Sequence, residues 1–170
     1  ASLFDGIGMK NVSINLEPSK ISLKHRTTKL DFGGIAVGYA IDRAVGVLKA
    51  RGIESAIVNH SGDIFALGSP PVEDAWEVGI TDPQNTDEII TTVHIKNQAL
   101  STSGNYENTI VADGRTIGHL LDPRTGRTAS SILSGTAIAL TAIEADAFST
   151  GLFVLDVEKV VTQPEPYVIA

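Results

Sequence analysis

The sequence predicts an α+β fold in a single domain that spans residues 1–170. Apolar residues recur at helical spacing in only two segments. The other apolar segments are short, rich in β-branched residues and bounded by turn residues, as strands are. These strands follow one another through hairpin turns, without the strand–helix alternation of a parallel sheet, so mixed or antiparallel sheets with two main helices are expected. With 170 residues, 42% of them hydrophobic, the chain can bury one sizeable core.

The composition excludes several classes of function. The formal net charge is −7 and no cluster of Lys and Arg stands out, which argues against nucleic acid or an anionic membrane as the main partner. The chain has no cysteine, so disulfides, thiolate nucleophiles and Cys-based zinc sites are ruled out. The four histidines do not cluster, which argues against a histidine-based transition-metal site. No apolar run approaches the length of a membrane span.

Two helices carry recognisable ends. The spacing of apolar residues predicts a first helix over about Ala36–Arg51, and Gly52 follows its basic last turn as a C-terminal glycine does. The second helix begins with a capping-box pattern, in which Thr141 precedes Glu144 by three residues, and it continues through Ala145–Leu155.

Short β-branched runs between turn residues predict the strands. They are two short strands within Met9–Leu23, with a turn at Glu17–Lys20, then Ile53–Asn59, Ile64–Leu67, Trp76–Ile80, Glu88–Ile95, Ala99–Thr102, Asn105–Val111, Arg115–Leu121, Leu133–Leu140 and Tyr167–Ile169. We expect His60–Asp63 to form a turn, and we expect residues 88–95 to form a hairpin with 99–102 and residues 105–111 with 115–121.

The segment HLLDPRTG at residues 119–126 places an imidazole, a carboxylate and a guanidinium beside a tight turn. Two leucines separate His119 from Asp122, so a buried strand is expected to lead into the turn. Pro123 ends that strand, and Gly126 permits the positive φ that a turn needs. A histidine held at a strand end against a rigid turn is suited to act as a base at the mouth of a pocket. The alternative is a surface loop with a structural histidine.

The second helix carries Asp146 and Thr150, which are four residues apart and therefore lie on one face. A carboxylate, a hydroxyl and main-chain carbonyls are hard oxygen ligands that suit Mg²⁺, which completes its shell with water and substrate phosphates. An ordinary structural explanation stays open, because Asp near a helix N-terminus favours the dipole and Thr can bond back to its own helix.

Three polar segments could contact a ligand. Glycines within Asp31–Gly38 would let the backbone approach a ligand closely at a helix N-terminus, or they serve only tight packing of the turn. Ser101–Tyr106 offers three hydroxyls, a glycine and an aromatic ring, which suit phosphate or ribose but also occur in plain polar turns. Asn59–Asp63 is a similar polar turn.

These pieces resemble, in order, the motifs of the ApbE family, the FAD:protein FMN transferases, whose fold is related to the T-fold. The resemblance extends from about Leu30 to Leu155. It rests on five motifs in register, which are LDFGGIAVGY at 30–39, VNHSGDI at 58–64, STSGNYE at 101–107, HLLDPRTG at 119–126 and EADAFSTG at 144–151.

The resemblance implies an enzyme that binds FAD with Mg²⁺ and transfers the FMN half to a Thr or Ser hydroxyl of an acceptor flavoprotein, with AMP leaving. By position in the motifs, the metal would be held by Asp146, Thr150 and the main-chain carbonyl near Ala36. His119 would be the catalytic base, and Asp122 would orient that imidazole or anchor the turn.

The resemblance also implies a set of contacts to FAD. Polar edges of FAD would be bound by Asp31, Asn59 and Asp63, and Tyr106 would stack on one of its rings. The predicted cofactor-binding residues are Asp31, Gly34, Asn59, Asp63, Ser103, Tyr106 and His119.

The chain departs from the family pattern in three respects, one of which is a C-terminal segment after Val157 that is shorter than the family's. Roughly the first third of the family domain has no counterpart before Ala1, and Val37 stands where the family usually has Lys. An FAD pyrophosphatase and a non-catalytic flavin-binding domain are therefore alternatives, although the joint presence of His119, Asp146 and Thr150 favours an enzyme. Because the family is often exported, a periplasmic or envelope location is expected, with the cytoplasm left open together with the acceptor and the oligomeric state.

Overall fold

The computed structural model describes residues 3–104, 109–112, 115–129, 132–155 and 167–169. Its helices are α1, Ala36–Ala50, and α2, Ala142–Val154. Its strands are β1 Val12–Asn15, β2 Lys20–Leu23, β3 Ala56–His60, β4 Asp63–Leu67, β5 Trp76–Thr81, β6 Ile89–Ile95, β7 Gln98–Gly104, β8 Thr109–Ala112, β9 Arg115–Gly118, β10 Leu121–Asp122, β11 Arg127–Thr128, β12 Ser134–Ala139 and β13 Tyr167–Ile169. Single turns of 3₁₀ helix at Leu3–Gly6 and Met9–Asn11 precede β1.

A five-stranded sheet in the order β13-β12-β7-β4-β3 forms the middle of the molecule, and every strand pair in the described residues is antiparallel. The strand pairs β1–β2, β5–β6, β8–β9 and β10–β11 form separate two-stranded hairpins. Only two helices of more than one turn occur in the described part of the chain. The predicted α+β class with antiparallel sheets is therefore confirmed.

The central sheet packs on both of its faces. Phe65 and Leu67 point towards α1 and α2, where they join one core cluster with Ile41 and Val45. The intervening residue Ala66 lies on the other face, in a second cluster with Val78 and Ile80 of β5, Ile95 of β6, Leu100 of β7 and Ile138 of β12. Successive residues of a strand point to opposite faces, so one strand serves both clusters. The sheet thus lies between the two helices and the β5–β6 hairpin.

The turn between β3 and β4 has two residues, Ser61 at φ 54° and Gly62 at φ 99°. Two consecutive positive φ angles are typical of the hairpin turns whose twist matches that of the strands. The predicted turn over His60–Asp63 is confirmed, with its outer residues serving as the last and first residues of the strands.

The two helices cross at Gly38. A Cβ atom added there would press on the carbonyl oxygen of Ala142 and lie 2.6 Å from the Cα of Ile143. Only glycine leaves room for the backbones to come this close. This crossing brings the N-terminal turns of both helices together, and it thereby sets the distance between the glycine-rich turn and the polar face of α2.

The N-terminus of α2 is capped from two sides. Thr141 accepts a hydrogen bond from the amide of Glu144, as the capping-box pattern predicts, and it also donates its own hydroxyl proton to the Glu144 carboxylate at 2.8 Å. Asp42 of α1 accepts from the amides of Ala142 and Ile143 at 2.8 and 3.0 Å. The hydrogen bond between Asp42 and Ala142 joins residues that are 100 positions apart, and no local sequence pattern predicts it.

The predicted hairpin between residues 88–95 and 99–102 is wrong. β6 pairs with β5, and β7 pairs with β4 and β12. The reason lies in the burial of β7, where Ala99, Leu100 and Ser101 are all buried in succession. A strand covered on both faces belongs in the centre of the sheet, so the chain passes from the hairpin to the sheet at Asn97, which has a φ of 53°.

No helix in the described residues is both long and apolar enough to cross a membrane. The predicted hairpin of residues 105–111 and 115–121 is present as β8 and β9, although residues 105–108 and 113–114 lie outside the described part.

Candidate functional site

A cavity of about 600 Å³ opens beside the N-terminal turn of α1 and the polar face of α2. Its wall also includes the β3–β4 turn, the end of β7 and the bend after β9. Seven of the predicted site residues line this cavity, namely Asp31, Gly34, Asp63, Ser103, His119, Asp146 and Thr150. They come from five separate segments of the sequence. The fold thus brings together residues that are distant in sequence and that only the motif resemblance had linked.

Asp146 is the buried carboxylate of the site, with 6% of its surface exposed. Its Oδ2 atom accepts a hydrogen bond from the backbone amide of Gly38 at 2.9 Å. Burial raises the pKa of Asp146, while the hydrogen bond from Gly38 acts in the opposite direction. A carboxylate held in this way gains from any positive charge that enters the cavity.

Thr150 lies one helical turn after Asp146 and lines the same cavity. A Cβ atom on Gly34 would lie 3.3 Å from both Oγ1 and Cγ2 of Thr150, so the glycine-rich turn approaches this side chain closely. Asp31 shapes that turn, because its Oδ1 accepts from the amide of Gly33 at 2.7 Å. Ala36 is the first residue of α1, and Gly34 and Val37 on either side of it line the cavity.

Hydroxyl groups connect β7 with α2 behind this face. Ser149 is fully buried, and its Oγ lies 3.0 Å from Ser101 Oγ and 2.8 Å from Ser103 Oγ. Ser103 Oγ also lies 3.2 Å from Thr150 Oγ1. Sequence reasoning missed the role of Ser149. A signal was present, because Ser101 and Ser103 are two residues apart on a strand and must therefore point to the same face.

Asp63, the first residue of β4, is a second carboxylate in the cavity. Its pKa is raised to about 6, first by burial and further by the negative charge of Asp146. Hydrogen bonds from the Ser101 hydroxyl and the Thr102 amide oppose this increase. Two carboxylates therefore share one cavity, and each disfavours ionisation of the other.

His119 lies in the bend between β9 and β10 and is exposed at the edge of the cavity. The prediction that it sits in a buried strand continuing to Leu121 is wrong. β9 ends at Gly118, and Leu121 begins the short strand β10 with 54% of its surface exposed. The short hairpin of β10 and β11 around Asp122–Gly126 replaces the expected long strand, since its residues pair with one another.

Asp122 is bound by Arg124. Its Oδ1 accepts from the Arg124 backbone amide and Nε, both at 2.8 Å, and its Oδ2 accepts from Nη2 at 2.9 Å. These hydrogen bonds lower the pKa of Asp122. Arg124 Nη2 also donates to the carbonyl of Val154 at 3.0 Å, which ties the turn to the end of α2. Asp122 does not line the cavity in the described structure, so its geometry corresponds to an anchor of the turn that follows His119.

Asn59, a further predicted site residue, lies outside the main cavity. Asn59 accepts a hydrogen bond from the Gly62 amide at 3.1 Å and faces a smaller cavity of about 260 Å³. That cavity adjoins the main one, because Ser61 and Thr102 line both. Tyr106 lies outside the described residues.

The donors in the cavity fit a small hard cation with few protein ligands. No group of three or more His, Asp and Glu side chains is arranged to hold a metal ion within the described part of the chain. Asp146 and Thr150 supply one carboxylate and one hydroxyl, and Mg²⁺ is typically bound by one or two carboxylates together with water and substrate phosphates. The chemistry of these donors therefore matches Mg²⁺ bound jointly with a phosphate ligand, and not a cation enclosed by protein alone.

Comparisons with known proteins find the same family that the sequence motifs resemble. The family model described as the ApbE family matches residues 1–166. The FAD:protein FMN transferase of Escherichia coli strain K12 is 36% identical over 132 residues, which cover 76% of this chain and 38% of that protein. The protein of the same name from Treponema pallidum is 36% identical over 152 residues, 84% of this chain and 42% of that protein. The chain thus spans less than half the length of these curated relatives.

Solved structures show the same similarity. The ApbE protein of Thermotoga maritima superposes with a TM-score of 0.84 at 36% identity, over 93% of this chain and 52% of that one. The apo form of the flavinyl transferase ApbE of Pseudomonas stutzeri gives a TM-score of 0.72 at 32% identity, over 89% of this chain and 46% of that one.

Proposed function

The chain belongs to the ApbE family, and on that premise we propose that it carries out Mg²⁺-dependent transfer of FMN from FAD to a Thr or Ser hydroxyl of an acceptor flavoprotein. AMP is the leaving product. The observation that carries this proposal is the shared cavity, in which His119 lies at the edge and Asp146 and Thr150 line the wall. A base and a cation site on one cavity are what phosphoryl transfer to a hydroxyl requires.

The chemistry divides among named groups. Asp146 and Thr150 would hold Mg²⁺, which when bound would neutralise charge on the pyrophosphate of FAD. Gly34 lets the glycine-rich turn approach Thr150 closely, because a Cβ atom there would lie 3.3 Å from Oγ1 and Cγ2 of Thr150. His119 accepts the proton of the acceptor hydroxyl as its oxygen forms a bond to the phosphorus of the FMN half. The bond from that phosphorus to the bridging oxygen breaks, and the oxygen leaves with AMP.

A second candidate is hydrolysis of FAD to FMN and AMP. It is favoured by the exposure of His119 at the edge of the cavity, which leaves this side chain accessible to water as well as to a protein hydroxyl. The same base and cation site would serve both reactions, and the only difference is which oxygen reaches the phosphorus.

One assay distinguishes these functions from a binding module. The chain is incubated with FAD, Mg²⁺ and a candidate acceptor domain, and the products are separated for flavin fluorescence of the acceptor band and for AMP. Transfer gives a fluorescent band and AMP, whereas hydrolysis gives AMP and free FMN without a band. Bound FAD with neither product would contradict both enzymatic proposals and identify a non-catalytic flavin-binding domain.

We also propose an envelope location for the protein, on the basis of the family alone. Expression of the intact gene product with fractionation of the host cell tests this, and recovery in the cytoplasmic fraction alone contradicts it.

A further inference from the structure

A chain of hydroxyl groups, which we call the hydroxyl chain, connects Ser101 with Thr150 through the fully buried Ser149. The Ser101 hydroxyl also lowers the pKa of the neighbouring Asp63 carboxyl group. Ser101 contacts Ser149, Ser149 contacts Ser103, and Ser103 contacts Thr150, with oxygen–oxygen distances of 3.0, 2.8 and 3.2 Å. The path crosses three times between β7 and α2, with the Asp63 carboxylate near one end and the proposed cation ligand Thr150 at the other.

The number of protons in the hydroxyl chain determines which group donates to which. Each hydroxyl has one proton and two acceptor lone pairs. Ser149 donates its proton to the backbone carbonyl of Asp146 at 3.0 Å. Ser103 must therefore be the donor to Ser149, and its proton is then unavailable for Thr150. The contact between Ser103 and Thr150 thus has to be made with the proton of Thr150.

The carboxylate at the far end leaves this direction unchanged. When Asp63 is ionised it is purely an acceptor, so the Ser101 proton goes to Asp63 or to Ser149, while Ser149 keeps its donation to the Asp146 carbonyl. When Asp63 is protonated it donates to Ser101, which then donates to Ser149. In neither state does Ser149 donate to Ser103, so Thr150 remains the donor at the other end.

We propose that Ser149, acting through Ser103, is a positioning residue that directs the Thr150 proton away from the cavity and leaves the Thr150 oxygen lone pairs facing a bound cation. Ser149 is fully buried and cannot itself touch a ligand. Its effect must therefore pass through Ser103 to Thr150. This inference rests on the cation site of the proposed function, and it adds groups behind that site that set how well Thr150 serves as a ligand.

Titration of the full chain with Mn²⁺ alone, followed by the loss of the free-ion EPR signal, tests the proposal without any measurement of activity. Ser149→Ala removes the acceptor of Ser103, which can then donate to Thr150 and reverse the direction of its proton. We expect Mn²⁺ to bind about tenfold more weakly or worse, as is common when a group behind a metal ligand is removed.

Thr136→Val is the matched control. Thr136 is 2% exposed, and its hydroxyl pairs with Thr102 at 2.8 Å between β12 and β7, outside the hydroxyl chain. Both substitutions delete a buried hydroxyl and are expected to lower the stability of the fold, but Thr136→Val should leave Mn²⁺ affinity at the wild-type value. Equal weakening by both variants would mean that the effect is only structural, and the proposal would be overturned.

A second pair of variants, both at Ser103, tests the proposal if Ser149→Ala does not fold. Ser103 is half-buried on a strand, where Thr is well accommodated. Ser103→Ala should weaken Mn²⁺ binding and Ser103→Thr should restore it, because the hydroxyl is what matters. Wild-type affinity in Ser149→Ala, or in Ser103→Ala, overturns this inference and leaves the cation site standing. If the wild-type chain binds no Mn²⁺, the cation site and the inference fail together.

Discussion

The Oδ2 atom of Asp146 in α2 accepts a hydrogen bond from the backbone amide of Gly38 in α1, at 2.9 Å. The donor is an amide near the N-terminus of one helix, and the acceptor is the carboxylate proposed as a cation ligand on the other. The close helix crossing at Gly38 thus has two effects, because it packs the backbones and fixes one oxygen of Asp146. Stability and cation binding should therefore respond differently to substitutions on the two sides of this bond.

Replacement of Gly38 by Ala should destabilise the fold by about 3 kcal/mol, at the upper end of the usual cost of overpacking. The added Cβ would press on the backbone of Ala142 and Ile143, which cannot move aside as a flexible side chain would. Urea unfolding followed by circular dichroism measures the change. Gly46→Ala in the same helix is the control, because a Cβ there meets nothing within 4 Å, and it should raise the free energy of unfolding by about 0.5–1 kcal/mol. Equal losses in both variants would contradict the close crossing.

Replacement of Asp146 by Asn should separate stability from cation binding. The Asn side-chain oxygen can still accept from the Gly38 amide, while the cost of burying a charge disappears, and that cost is what raises the pKa of Asp146. We expect the thermal midpoint without cation to be unchanged or higher than in the wild type. Added Mg²⁺ should raise the midpoint of the wild type and leave that of Asp146→Asn where it was. A similar Mg²⁺-dependent rise in both proteins would exclude Asp146 as a ligand.

Sequence patterns predicted the parts of this structure that depend on neighbouring residues. The capping box at Thr141 and Glu144 and the turn at Ser61 and Gly62 are local, because a few dihedral angles and hydrogen bonds decide them. The same holds for the face of α2 that carries Asp146 and Thr150, since helical spacing alone places them together. Motif order indicates that these residues share a site, and in the structure they line one cavity.

The parts that could not be predicted depend on contacts between distant residues. Alternation of apolar residues shows that β6 and β7 are strands, but it does not identify their partners, which the burial of both faces of β7 decides. Asp42 caps a helix that begins 100 residues later, and Ser149 contacts two serines of β7. His119 was expected in a strand because Leu120 and Leu121 are apolar, yet Leu121 is largely exposed.

The stability of the chain should fall as the pH rises from about 4 to above 6, because of Asp63. Its pKa is raised from 3.8 to about 6 in the folded state, so the native protein holds this proton more tightly than the unfolded chain does. The favourable contribution is fully present below pH 3.8 and is lost as the pH passes through 6. We expect a difference of about 1–2 kcal/mol after allowance for solvent screening.

Urea unfolding of the wild type and of Asp63→Asn at pH 4.5, 5.5, 6.5 and 7.5 measures this contribution. Asp63→Asn should be the more stable protein at pH 7.5 and should lose this part of the pH dependence, while the exposed substitution Asp87→Asn should behave as the wild type does. A pH profile that is unaltered by Asp63→Asn would show that another group is responsible.

Replacement of Asp42 by Ala should cost about 2 kcal/mol of folding free energy, since two amides at the N-terminus of α2 lose their acceptor. Urea unfolding measures the loss. Asp74 in the exposed loop before β5 serves as the control, and its replacement by Ala should change the free energy of unfolding by less than about 0.5 kcal/mol. If the two substitutions have the same small effect, the cap from α1 contributes nothing in solution.

Replacement of His119 by Ala should lower the rate of FMN transfer by about 10²–10⁴-fold, the usual contribution of a general base. FAD binding should be largely retained, because Asp146, Thr150 and the glycine-rich turn remain in place around the cavity. Transfer is measured from the fluorescent acceptor band, and binding from the quenching of FAD fluorescence. His94 is an exposed histidine that pairs with Glu77 at 3.6 Å on the β5–β6 hairpin, and His94→Ala should leave both quantities unchanged. If His119→Ala weakens FAD binding and the transfer rate falls only by the same factor as the FAD affinity, His119 contributes to ligand binding and is not the base.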